Sequence, residues 1–81
     1  MSVVPASLRA LDSDRADLIN VLETMIDRHR LSEVLSALSY ICDEKAQHIA
    51  VNYQDVVRGK LWLKMAVRLD PLTARAEQEN L

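Results

Sequence analysis

Apolar and polar positions alternate along most of this chain with the period of an α-helix. Leu18, Ile19, Leu22, Met25 and Ile26 recur at i, i+3, i+4 spacing, interleaved with Asp17, Asn20, Glu23, Thr24 and Asp27. At about 100° per residue, this places one apolar stripe opposite one solvated side. A second stretch carries Leu31, Val34, Leu35, Leu38, Ile41, Cys42, Ala46 and Ile49 on one face. Lys45 falls within that face, either with its stem packed and its ammonium at an edge or buried beside an acid or an incoming ligand. The third stretch, Tyr53 to Leu69, is apolar on more than one face. Val56, Gly59, Trp62, Leu63 and Ala66 share one side, while Val57, Leu61, Met65 and Leu69 point away from it. A small three-helix protein normally needs one stripe per helix, so this second face calls for a cover: the C-terminal tail, another copy of the chain, or a partner.

The junctions set the expected boundaries. Ser13 and Asp14 are good N-cap types, with Asp17 favourable in the first turn. Arg28-His29-Arg30 supplies cations suited to a helix C-terminus. Ser32 is placed to cap helix 2, and Asn52 to cap helix 3 with Asp55 completing a capping box. Asp70-Pro71 is poor helix interior, so helix 3 is expected to end near Leu69 and a short terminal helix to start with Pro71 in its first turn. The pattern predicts an all-α fold: a three-helix bundle with helices near 14–30, 32–51 and 53–69. Residues 1–12 form an N-terminal arm, 13–70 the three-helix domain, and 71–81 a short helical or frayed tail. Helices 1 and 2 are expected to pack antiparallel through their stripes, with helix 3 closing the core through the small residues Gly59 and Ala66.

Composition supports this picture. One Gly and two Pro in 81 residues leave little material for hairpins or phosphate-cradling loops, and a hydrophobic fraction of 49% is that of a folded domain. One domain is all this length allows, and a core of this size is marginal by itself. Cys42 is the single cysteine, so no disulfide forms within the chain; as a small apolar residue it fits a reducing, cytoplasmic setting. The N-terminal residues show no signal-peptide pattern, and no apolar run approaches the ~18 residues of a membrane span.

Candidate chemistry changes the picture little. The inward Glu-x-x-His pattern of helical metal sites is absent, because Lys45 stands three before His48. Glu44 and His48, at i, i+4, flank the stripe as a solvated pair, so no metal and no cofactor is expected. Cys42 and His48 lie about half a turn out of phase and cannot form a dyad within one helix. Lys60, Lys64 and Arg68 recur at i, i+4, i+8 as a basic stripe that phosphates would fit. Against nucleic acid stand a net charge of −2, from 10 Lys+Arg and 12 Asp+Glu, and little aromatic interleaving.

Gly59, Leu63, Ala66 and Pro71 resemble in spacing the second helix of a tetratricopeptide repeat, with Leu69-Asp70-Pro71 at its end. The first helix of such a unit would place Asp43, Ala46, Gln47 and Ala50 where that family has a large aromatic, Leu, Gly and Tyr. No neighbouring repeat accompanies it. The resemblance therefore assigns no family.

The sequence thus points to a non-enzymatic, cytoplasmic protein-binding or regulatory module, expected to form a homodimer. Its expected working surface is Val57, Leu61, Lys64, Met65 and Leu69 on helix 3, with Tyr40, Glu44 and His48 on helix 2 as a secondary surface. The alternative is a nucleic-acid-associated regulator using Lys60, Lys64 and Arg68. A third class, a small helical enzyme built on Arg15, Arg30 and Lys45, has the weakest constellation. The partner itself is not named by the residues.

Overall fold

The computed structural model describes residues 6–81, with side chains from residue 13 onward. Three α-helices follow one another: α1 (Ala6–His29), α2 (Leu31–Asn52) and α3 (Val56–Gln78). Among the described residues there is no strand.

The α2–α3 hairpin holds most of the packing. A three-residue connection, 53–55, reverses the chain, and the helices then run antiparallel from the Ala50–Gly59 end to the Ser32–Leu81 end. Small residues line the seam: Ala46, Gly59, Ala66 and Ala76 are buried, and Ser32 is buried beside them. A Cβ placed on Gly59 would sit 3.0 Å from the Ala46 carbonyl oxygen and 3.2 Å from the Ala50 Cβ, so glycine is what lets the two backbones approach here. Ser39 Oγ lies 3.0 Å from the Ala66 carbonyl and 2.9 Å from Asp70 Oδ1, either of which can accept its hydroxyl proton. At the far end, the Ser32 N–H donates to the Leu81 carbonyl at 3.2 Å.

Several boundaries differ from the sequence reading. The α1 helix begins at Ala6, ahead of Ser13 and Asp14, because Ala6–Leu11 is rich in strong helix formers and polar residues at 13–14 cost an exposed helix little. Of the expected arm, residues 1–5 lie outside the described residues. Arg30, not Ser32, occupies the N-cap of α2, without a side-chain cap; Ser32 is instead buried under the chain's last residues. Asp55 caps α3, accepting the Arg58 N–H at 3.0 Å, while Asn52 turns to His48 Nδ1 at 2.7 Å. The third helix runs through Pro71 to Gln78 rather than ending near Leu69. Beyond the proline, which removes one helix hydrogen bond, Ala76 is buried and the Leu81 carbonyl accepts the Ser32 N–H, and Asp70 is engaged by Ser39 instead of serving as a cap.

The largest difference concerns α1. It does not pack along α2: among the described residues it meets α2 sparsely and makes no contact with α3. A single residue, Arg30, joins the two helices at φ 86°, ψ 152°. Antiparallel helix pairs need connections of about 2–5 residues. One residue leaves α1 and α2 as the arms of a V, and the chain measures 41 × 36 × 21 Å.

Candidate protein-binding surfaces

The splayed α1 leaves its stripe open. Exposure falls toward the joint, from 57% at Leu18 to 37% at Leu22, with Met25 and Ile26 half-buried. Facing it on α2, Val34 is half-buried while Leu38 and Ile41 are exposed. Leu22, Met25, Val34, Ala37, Leu38 and Ile41 line an apolar cleft of about 390 Å³ inside the V, with His29 and Glu33 (3.8 Å apart) at its apex. The sequence pattern assigned Leu22, Met25, Val34, Leu38 and Ile41 to a closed helix 1–helix 2 core. The signal that they form a surface was the joint itself, a single non-glycine residue between two helical patterns.

The outer face of α3 is the second apolar surface. Val57, Leu61 and Met65 are exposed, Val57 at 74%, and Lys64 is exposed beside them. Arg58, Leu61, Trp62 and Met65 border one shallow depression there. Leu69 does not join this group: it is half-buried, following Gly59, Trp62 and Ala66 along the seam toward α2. The side expected to be core is also divided, since Gly59 and Ala66 are buried and Trp62 is half-buried, whereas Val56 and Leu63 are exposed.

The basic residues Lys60, Lys64 and Arg68 do share one face, together with Leu63 and Val67. Among the described residues, Arg75 pairs with Glu79 and His29 Nδ1 lies 3.8 Å from Glu33, and no acid of α1 pairs with the stripe. Lys45 is exposed, and its ammonium lies 5.5 Å from the centroid of the Trp62 ring. Its place within an apolar face is thereby explained: the stem crosses the seam and the charge rests on an aromatic face.

Tyr40, Glu44 and His48 are all exposed on α2, but they do not act as one group. Glu44 couples to Tyr40, holding the phenol above its ordinary ionisation range, first by hydrogen bonding and then by charge repulsion of the phenolate. His48 instead takes Asn52 and packs edge-on to Tyr53, at 5.6 Å and 76° between the rings. Cys42 is half-buried. Among the described residues, no group of three or more His, Cys, Asp or Glu is placed to hold a metal ion, and no helix is long and apolar enough to cross a membrane. No family model, curated protein or solved structure matches the chain.

Proposed function

We propose that this protein is a non-enzymatic protein-binding module, working as a homodimer in the cytoplasm and engaging a protein partner through the outer face of α3. The observation that carries this reading is the pairing on one helix of a seam of small buried residues with an opposite face of large exposed ones. Gly59 and Ala66 bring α3 against α2, which leaves Val57, Leu61 and Met65 outside the core altogether. Apolar side chains grouped on a free helix face suit docking by an amphipathic helix or groove. Lys64 at the rim favours a partner with acidic residues around its apolar centre. A lone, half-buried cysteine fits a reducing compartment.

The test is capture of interacting proteins by the parent chain and by Leu61→Glu, Met65→Glu and Lys64→Glu variants, with circular dichroism on each. Both apolar-to-Glu variants should lose the partner while keeping parental helicity, because a carboxylate in an apolar interface loses hydration without gaining a counter-charge. Lys64→Glu should weaken capture less, and in a salt-dependent way. If capture instead depends on Lys60, Lys64 and Arg68, and falls steeply with salt on nucleic acid, the nucleic-acid reading replaces this one.

A further inference from the structure

We infer that the basic row of α3, with the apolar floor beneath it, seats an acidic amphipathic helix of a partner protein. Its carboxylates pair with Lys60, Lys64 and Arg68 while its apolar side chains reach Leu63 and Val67. This rests on the protein-binding reading of α3 above, and it names the chemistry of the partner and the flank of the helix that holds it.

The first observation is charge. Four of the chain's 10 Lys+Arg, namely Arg58, Lys60, Lys64 and Arg68, fall within Val56–Leu69, and none of its 12 Asp+Glu does. The whole chain carries −2, so this cationic stretch is set in an otherwise acidic molecule. The acids that bracket it are engaged elsewhere: Asp55 accepts the Arg58 N–H, and Asp70 lies 2.9 Å from the Ser39 hydroxyl. Asp43 of α2 borders a neighbouring depression with Lys60 and Leu63, yet no ion pair joins it to Lys60. Lys60, Lys64 and Arg68 are all exposed, and among the described residues none has a carboxylate partner.

The second is shape. Lys60, Lys64 and Arg68 follow one another by about one turn, so the row spans about 12 Å along the helix. Their long side chains wall a trough of about 380 Å³ whose floor is Leu63 and Val67, 46% and 59% exposed. A helix with acids at i, i+4 and i+8 repeats its carboxylates at the same period, so each can meet one cation.

The floor decides among polyanions. A phosphate backbone brings charge but nothing apolar to cover Leu63 and Val67. An anionic bilayer meets the cationic heads first, because Leu63 and Val67 are shorter than the side chains that wall them in. An amphipathic helix supplies an acidic row and an apolar stripe together.

The experiment is fluorescence anisotropy on the full chain with a labelled helical peptide carrying Glu at i, i+4 and i+8 beside a Leu stripe. A second peptide carries Lys in place of each Glu. The parent should bind the acidic peptide and not the basic one. Val67→Asp should weaken the acidic peptide by about tenfold, and Lys60→Glu, Lys64→Glu and Arg68→Glu combined should weaken it further and acquire binding of the basic peptide. That gain cannot come from unfolding. Arg28→Glu, the same charge change on α1, should alter neither. A parent that ignores the acidic peptide, or binding that survives the triple reversal, overturns the inference. The protein-binding reading is then judged separately, by whether Leu61→Glu and Met65→Glu abolish partner capture. A DNA duplex, or vesicles of phosphatidylserine in phosphatidylcholine, bound more tightly than the peptide and lost on the triple reversal, overturns it in favour of nucleic acid or a lipid surface.

Discussion

The Gly59 Cα faces the Ala46 carbonyl so closely that an added methyl would stand 3.0 Å from that oxygen. The blocking atom belongs to the backbone of α2, which cannot rotate aside as a side chain would. Two effects of Gly59→Ala therefore oppose each other. Alanine favours the helix by about 0.8–1 kcal/mol, while overpacking a tight site typically costs about 1–3 kcal/mol. The seam should win, so Gly59→Ala is expected to lower the thermal midpoint modestly and Gly59→Val to lower it severely. A midpoint above the parent's for Gly59→Ala would show that the two helices separate freely at this point.

Leu22 and Leu38 measure what covers the cleft. In the isolated chain they are 37% and 38% exposed, and a side chain that open should lose well under the ~2–5 kcal/mol of a fully buried Leu→Ala change. With the cleft covered, both should approach that full cost. Chemical denaturation of Leu22→Ala and Leu38→Ala at fixed high protein concentration distinguishes the cases. Losses near or below 1 kcal/mol for both would mean that the cleft stays open to water.

Much of this organisation was legible in the sequence. The helix period gave three helices and no strands, and the small size of Gly59 and Ala66 marked them as points of close helix approach. The polar seam on α2 was not legible. Ser32 reads as a helix cap and Ser39 as part of a solvated flank, yet Ser32 is buried and Ser39 finds two acceptors on α3. Nor did the pattern separate a closed α1–α2 core from an open cleft, because apolar stripes look identical whether the covering chain is the same or another. That distinction lay in the length of the connection, where Arg30 alone does what residues 53–55 do between α2 and α3. Leu69 is half-buried, in line with its place seven residues, or two helix turns, after Trp62, which puts it on the side of Gly59, Trp62 and Ala66 rather than with Leu61 and Met65.

Tyr40 offers a check on the secondary surface of α2. Its phenol ionises above the ordinary value of 10.0 because of Glu44, with small further contributions from burial and Asp43. Raising the pKa means the folded chain holds the Tyr40 proton more firmly than the unfolded chain does. Any resulting stabilisation is present below the unfolded value and is lost as pH rises through the folded one. Spectrophotometric titration of Glu44→Gln should move the Tyr40 transition down toward the ordinary value. An unchanged titration would show that the Glu44 carboxylate does not reach Tyr40 in solution.

The account's central claim is that this chain completes its fold by association, since among the described residues the buried positions are Ala46, Gly59, Ala66, Ala76 and Ser32 and no large side chain is fully buried. Binding that favours the folded state makes the melting temperature depend on concentration by mass action. The most direct measurement is thermal unfolding followed by circular dichroism across a hundredfold range of protein concentration, in the purified chain alone. The midpoint should climb steadily with concentration, and helicity at the dilute end should fall below that of the concentrated sample. A midpoint and helicity identical across the whole range, at the mass of one chain, would contradict it.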